Sequence, residues 1–432
     1  MRFRALLLAC VALALAACGG GDDTSTVGAG SICTQSGPTC VHVGVGEPFY
    51  IGTLLYGVDP VGEDVASSVR LAVDYLDGSF DGVPGQLLGH DITLLAEDDG
   101  CSALGGRTGA LRLMHEPGLV AVIGTSCSAA AFGAADVTLG KNNILLLSPS
   151  NTAPALTVPA THQRNYFRVA FNDVIQASTV ADFAFTRQHW TSAVAIHLDG
   201  DAYSSQLTSA FAQSFALLGG NSMGDLAIAL GASPADVQRQ IARKQPAMVF
   251  IANFTPDCEN TVAALRSAPS TRDIPIVVSE ACQTPEFAGS LGASAHGVFS
   301  SGPDFSAVRE NAFYVDSYLP AYRRLTGGDP IGVFHPASWD AFNLLADALR
   351  RSAVLEPGGG LSIDREQLRR ALLQVEGYEG LSGSLTCASN GDCAESARIA
   401  IYREPNWPVL RGDSAKPVFT QLKTLAEVLN GG

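Results

Sequence analysis

From Phe49 onward the chain alternates short apolar runs with longer amphipathic segments, and that alternation admits few folds. An apolar run of five or six residues between turn residues reads as a buried strand; apolar side chains three or four apart read as one face of a helix. Strands are expected at 50–55, 92–97, 120–124, 144–148, 193–198, 248–253 and 274–279. Helices are expected at 65–76, 105–115, 129–139, 176–188, 204–218, 234–244, 261–267, 309–325, 336–351 and 365–375. Strand and helix in succession specify an α/β fold whose strands run mostly parallel. The series runs twice, up to about Pro159 and again from about Phe167, so we expect two similar doubly wound parallel-sheet lobes joined by a hinge.

The start of the chain has a different logic. Arg2 and Arg4 precede an apolar stretch from Ala5 to Leu15, and Leu15-Ala16-Ala17 leads into Cys18. A basic, apolar and small-residue succession is an export signal, too short to cross the roughly 30 Å hydrocarbon core as a finished helix. The Leu-Ala-Ala-Cys segment resembles a bacterial lipobox, which implies a signal peptide over 1–17 and a lipid anchor on Cys18. Several acyl chains hold where one does not. The Gly-rich stretch that follows offers almost nothing to bury and is expected to act, within 18–40, as a flexible tether.

Without Arg2 and Arg4, 25 basic residues stand against 42 acidic ones, a formal charge of −17. A polyanion such as nucleic acid is therefore excluded as a partner. About 400 residues remain, too many for one ordinary domain. Setting aside Cys10 and Cys18, eight cysteines remain, an even number in an exported chain. Their order suggests four neighbouring pairs: Cys33 with Cys40, Cys101 with Cys127, Cys258 with Cys282, and Cys387 with Cys393. A metal site is not expected, because no Cys-x-x-Cys or His-x-x-x-His spacing occurs and the eight histidines are scattered.

Open parallel sheets place ligands beyond the carboxyl ends of their strands. There the first half carries Thr125-Ser126-Cys127-Ser128 and Ser148-Pro149-Ser150-Asn151-Thr152, whose hydroxyls and free N–H groups suit a carboxylate. The second half carries Asp199-Gly200-Asp201-Ala202-Tyr203, Asn253-Phe254-Thr255-Pro256-Asp257 and Ser279-Glu280-Ala281, which add acids and aromatic rings. Hydroxyls facing acids suit a ligand bearing an ammonium beside its carboxylate, as an α-amino acid does. Each residue also has an ordinary structural use. Ser128 can cap a helix, Thr152 can close a turn, Tyr203 can pack against its lobe, and Glu280 can stand in solvent.

These residues resemble those of the type I periplasmic solute-binding proteins, specifically the branched-chain amino-acid group, over most of the chain from about Phe49 to Tyr402. The most specific stretches are Val122-Ile123-Gly124-Thr125-Ser126-Cys127-Ser128 and the Ser-Pro-x-x-Thr-x-Pro-x-Leu-Thr run from Ser148 to Thr157. Glu97-Asp98-Asp99-Gly100-Cys101 is similar to the family's first cysteine segment, which lends the Cys101–Cys127 pair separate support. The resemblance implies ligand-binding roles for Ser128, Ser150, Thr152, Tyr203, Thr255 and Glu280. Ser128 and Thr152 would donate hydroxyls to a carboxylate, with the Ser150 backbone beside them. Glu280 would take the ammonium, Tyr203 would close over the ligand, and the Thr255 region would add a contact. Trp339-Asp340-Ala341 matches a late helix motif in which Asp340 is expected to be structural. The loop 56–62 departs from the family's Gly-Pro-rich version. Cys258–Cys282 and Cys387–Cys393 are not general family features; the latter would clip a hairpin across Asn390-Gly391.

The sequence holds no Gly-x-Ser-x-Gly elbow and no phosphate loop, so catalysis is not expected and neither catalytic residues nor a cofactor are assigned. The expected organisation is a first lobe of 41–168 plus 300–380 and a second of 169–299 plus 381–425. Crossings fall near Arg168, near Ser300 and after Gly380. The resemblance implies a monomer in the cell envelope, facing the periplasm or exterior and touching the membrane through its lipid alone. Its partners would be a small solute and an ABC transporter permease. A ligand sensor of the same fold that serves no transporter is the alternative.

Overall fold

The computed structural model describes residues 33, 35–57, 60–136, 140–408 and 415–430. The expected signal peptide, Cys18 and most of the tether lie outside the described residues, as do Val58 and Asp59 of the divergent loop.

The first lobe opens with strand β1 (Cys40–Val43), then β2 (Phe49–Leu55), helix α1 (Pro60–Asp74), β3 (Ile92–Asp98), α2 (Ala103–Leu113) and β4 (Leu119–Gly124). Helix α3 (Ser128–Ala134), β5 (Leu145–Ser148) and β6 (Tyr166–Arg168) complete a parallel sheet in the order β3-β2-β4-β5-β6. All six residues of β4 are buried because the strand is central and both its faces are covered.

The chain then enters the second lobe. It forms α4 (Asp173–Asp182), β7 (Ser192–Leu198), α5 (Ala202–Leu217), β8 (Asn221–Ile228), α6 (Pro234–Lys244) and β9 (Met248–Ala252). Next come α7 (Asp257–Ser267), β10 (Ile276–Val278), α8 (Pro285–Leu291) and β11 (Phe299–Pro303). It returns to the first lobe as α9 (Ser306–Glu310), α10 (Leu319–Thr326), α11 (His335–Ser352), β12 (Val354–Leu355), β13 (Leu361–Asp364), α12 (Arg365–Leu373), β14 (Tyr378–Glu379) and β15 (Ser384–Leu385). The last crossing leads back to β16 (Ser396–Arg403), β17 (Phe419–Thr424) and α13 (Leu425–Leu429).

On one face of the first sheet, Val69, Phe342, Leu345 and Leu349 of α1 and α11 pack against Ile51 and Ile123; on the other, Ala110, Ala131 and Ala134 of α2 and α3 cover Leu54 and Val122. A sheet buried on both faces by helices is the doubly wound architecture the alternation implied. The second sheet has the order β17-β16-β11-β10-β9-β7-β8. Its five strands from β11 to β8 are parallel, while β16 and β17 add an antiparallel edge. That mixed edge is absent from the sequence expectation. The cause is visible in β16, whose buried stretch is only Ile399 to Tyr402, and in β17, which has no buried residue and no apolar run.

The expected helix at 309–325 is broken into α9, a wide turn over Tyr314–Tyr318, and α10. All four neighbouring cysteine pairs are joined in the structure. The Cys387–Cys393 ring closes a turn in which Gly391 N–H donates to Ala388 O at 2.9 Å, but it makes no two-stranded ladder. Across the turn Ala388 N–H donates to Asp392 O at 2.8 Å and Thr386 N–H to Cys393 O at 2.9 Å. Residues 391–393 pair with Arg168 as well, because Arg168 N–H donates to Gly391 O and Cys393 N–H to Arg168 O, each at 2.9 Å.

Candidate functional site

The strand ends of the two sheets face each other across the crossings. In the first lobe, β4 ends at Gly124, whose φ of +147° no side-chain-bearing residue adopts easily; a Cβ there would stand 2.2 Å from Leu54 O. The sharp exit sends Thr125 to Ser128 across the top of the sheet. Asp99, just past β3, holds them: one oxygen accepts from Ser126 N–H at 2.7 Å and Cys127 N–H at 3.4 Å, the other from Cys101 N–H at 2.8 Å. Burial raises the Asp99 pKa to about 6 against the pull of these donors. Cys101–Cys127 ties the same two segments covalently.

The segment after β5 is equally determined. Ser148 Oγ accepts from Ser150 N–H at 3.2 Å and Asn151 N–H at 2.9 Å and donates to Thr125 O at 3.0 Å. Asn151 Nδ2 donates to the same carbonyl at 2.8 Å. Ser150 Oγ turns to Ser126 O at 3.0 Å, so Ser150 has its N–H and hydroxyl committed within the lobe. Ser128 Oγ accepts Ala153 N–H at 3.3 Å, which brings Ser128 and Thr152 side by side, both buried. Asn151, which sequence reasoning passed over, is thus the brace between the two hydroxyl segments.

The second lobe supplies acids. Tyr203 Oη donates to Glu280 Oε1 at 2.6 Å, and Gln176 Nε2 donates to Glu280 Oε2 at 2.5 Å and to Ser301 Oγ at 2.8 Å. Glu280 is buried, not solvated; burial raises its pKa while the Tyr203 and Gln176 hydrogen bonds lower it. Burial raises the Tyr203 pKa too, helped by the charges of Glu280 and Asp173.

Asp173, at the start of α4, belongs to this set and was not expected. It is fully buried, and neither carboxylate oxygen has a well-formed hydrogen bond. Burial pushes its pKa well above the carboxylate range and the neighbouring Glu280 charge adds to the push; the Thr152 hydroxyl and Arg168 pull back. Its N–H donates to Thr152 O at 3.0 Å, placing the acid of one lobe against the hydroxyl segment of the other. Gln176 Oε1 and Ser279 Oγ are also buried without partners. The sequence did carry a signal: Asn172 accepts Val174 N–H as the cap of α4. It passed unread because β6, three residues ending in a buried arginine, has no apolar run to announce the strand end before it.

Thr255 stands apart. It is exposed, and its hydroxyl interacts with Glu259; the neighbouring Phe254 ring packs 5.5 Å from Tyr203 instead. Asp340 is buried and accepts from Leu381 N–H and Ser382 N–H at 2.7 Å each, pinning the last crossing as a structural residue would. Among the described residues, no group of three or more His, Cys, Asp or Glu side chains is placed to hold a metal ion. No helix of the described residues is long and apolar enough to cross a membrane.

Two doubly wound lobes with donors on one facing edge and acids on the other define a two-lobed binding protein. The chain belongs to the periplasmic binding protein family, whose model matches residues 55–400. Among solved structures it is similar to the leucine binding protein LivK from Thermotoga maritima, at TM-score 0.71 and 19% identity over 87% of this chain and 98% of that one. It is similar as well to a solute binding protein of an ABC transporter from R. palustris in complex with benzoate, at TM-score 0.70 and 18% identity over 86% and 96%. A third, LivJ of a branched-chain amino acid transporter from Streptococcus pneumoniae in complex with isoleucine, gives TM-score 0.69 and 17% identity over 88% and 100%. Among curated proteins none matches this sequence. The family is one of binding proteins, not enzymes, in agreement with the missing catalytic motifs.

Proposed function

We propose that this protein is a lipid-anchored solute receptor that closes its two lobes around an α-amino acid and presents it to an ABC transporter permease. The observation that carries this reading is Asp173, a fully buried acid beside the buried Glu280: neither of its oxygens has a well-formed hydrogen bond, and Arg168, the cation that acts on it, spends its donors on Asp392, Thr157 and the carbonyls around Thr152. A buried charge without a partner is costly, and a ligand ammonium removes that cost. Ser128 and Thr152 on the opposing edge suit the ligand carboxylate, and the Ser150 carbonyl remains to accept from its ammonium. Ligand bridging both edges favours the closed state through contacts that the open state lacks.

A benzoate-like aromatic acid is the rival ligand, because one of the similar structures holds benzoate. Calorimetry with leucine, isoleucine, valine, alanine, glutamate and benzoate separates the two. The reading expects heat from at least one amino acid and none from benzoate at neutral pH; benzoate alone giving heat overturns it. For the anchor, Cys18→Ser is expected to release the protein from the membrane fraction, and unchanged retention overturns that part.

A further inference from the structure

The last crossing between the lobes runs through the Cys387–Cys393 ring, and that ring carries a buried charge. Asp392 Oδ2 accepts from Arg168 Nη2 at 2.6 Å and Nε at 3.2 Å, and neither side chain has any exposure. Arg168 sits on the first crossing, so the pair joins crossings 224 residues apart in sequence.

The remaining donors of Arg168 point into the hydroxyl segment. Nη1 donates to Ala153 O at 2.9 Å and Asn151 O at 3.4 Å, the carbonyls on either side of Thr152, and Nη2 donates to Thr157 Oγ1 at 2.8 Å. The ring grips the segment a second time through Asn390, whose Nδ2 donates to Thr157 O at 2.8 Å. Asn172, beside the buried acid Asp173, donates to Asp392 Oδ2 at 3.4 Å. Gly391 has φ +79°, and a Cβ on it would meet Tyr166 O at 2.1 Å, so the ring is seated flush against β6.

We propose that the Cys387–Cys393 ring is a positioning clamp for the ligand-binding segment 151–157. It holds Asp392 and Asn390 where, through Arg168, they set the carbonyls and hydroxyl around Thr152 and fix the pivot of the first crossing. A guanidinium has a rigid fork of donors, so its orientation is transmitted to every carbonyl it holds. Without the ring, the seven residues from Cys387 to Cys393 regain backbone freedom, and a charge pair of this kind depends on geometry that a free loop does not maintain. Asp392 and the cysteines touch no ligand in this scheme. They are positioning residues, and the scheme rests on the reading that ligand sits at Thr152.

Hydrogen exchange by mass spectrometry on the unliganded full-length protein tests the clamp independently of ligand identity. Cys387→Ser with Cys393→Ser is expected to speed exchange at least about tenfold in 151–157 and 168–172, while β9 in the second lobe stays as in wild type. Cys33→Ser with Cys40→Ser, which opens a ring far from the segment in the fold, is expected to leave both regions unchanged. Should the hinge double variant not fold, Asn390→Ala removes the grip on Thr157 O together with the acceptor of Asp392 N–H, while leaving the Arg168 and Asp392 side chains and the ring itself in place. Exchange in 151–157 that is unchanged, or that rises equally in β9, overturns the clamp in favour of a merely stabilising bridge.

Binding of L-leucine gives the functional readout, with dissociation at least about fivefold faster in the hinge variant and association unaltered. A wild-type protein that binds no amino acid overturns the proposed function, while the exchange experiment still decides the clamp.

Discussion

The two facing edges of the cleft are built on opposite principles. The first lobe's edge is closed upon itself: Ser148, Ser150, Asn151 and Thr125 spend their polar groups on one another, and Asp99 ties them to the strand before. The second lobe's edge is left incomplete, with both oxygens of Asp173 and Oε1 of Gln176 buried and unpartnered. A fully satisfied network is rigid and sets geometry, whereas a partly satisfied one stores electrostatic cost that a ligand can relieve. On the proposed function, one lobe is a template and the other is the source of affinity. The difference also predicts how each edge fails when altered.

The largest effect is expected where the cost is stored. Asp173→Asn or Glu280→Gln removes one of the two buried acids, and amino-acid affinity is expected to fall at least about 100-fold, near 2.7 kcal/mol. Asp173→Asn also relieves repulsion between buried acids without breaking a well-formed side-chain hydrogen bond, so the unliganded variant is expected to melt at a higher temperature. Calorimetry and thermal unfolding check both signs; loss of affinity together with loss of stability would break the contrast between the edges.

Gly124→Ala attacks the template instead. A Cβ 2.2 Å from Leu54 O at φ +147° is expected to cost about 3 kcal/mol of stability, measured by denaturant unfolding, and to weaken all ligands alike.

Solution pH sharpens the second edge. The folded-state pKa values of Asp173 and Glu280 are raised, so the free pair retains a proton above the ordinary carboxylate range. An ammonium favours the ionised pair and expels that proton, so affinity for an amino acid is expected to rise with pH through this window. The slope is up to about tenfold per pH unit for one proton released. Benzoate, lacking an ammonium, is expected to show the opposite slope. Isothermal calorimetry in two buffers of different ionisation enthalpy counts the proton directly, and a count of zero would remove Asp173 and Glu280 from the binding reaction.

The smallest effect is expected at Thr255, which is exposed and turned to Glu259. Thr255→Ala is expected to change affinity less than about twofold, or ~0.4 kcal/mol, in the same titration. A larger loss would return this position to the site.

Legibility in the sequence followed burial. β2, β4, β5, β7 and β9 are central strands buried on both faces, and each shows as an apolar run. The edge strands β8 and β17 and the three-residue β6 carry no such run. Ser128, Thr152, Tyr203 and Glu280 could be singled out as candidates because each follows a legible strand; Asp173 could not, because it follows β6. Gln176 was read as the start of a helix, and its first three residues, which include the buried acid, were left in the loop.

By itself the sequence determined the alternation of strand and helix, the neighbouring cysteine pairs and the hydroxyl-rich strand ends. All of these are encoded by residues close together in the chain. Only the tertiary structure decided which polar groups lose water and which partners they then meet. Arg168 meets Asp392 across 224 residues, and Gln176 meets Glu280 across 104. A carboxylate on a loop is solvated by default, and its affinity for a ligand ammonium arises when packing removes that water and withholds a replacement.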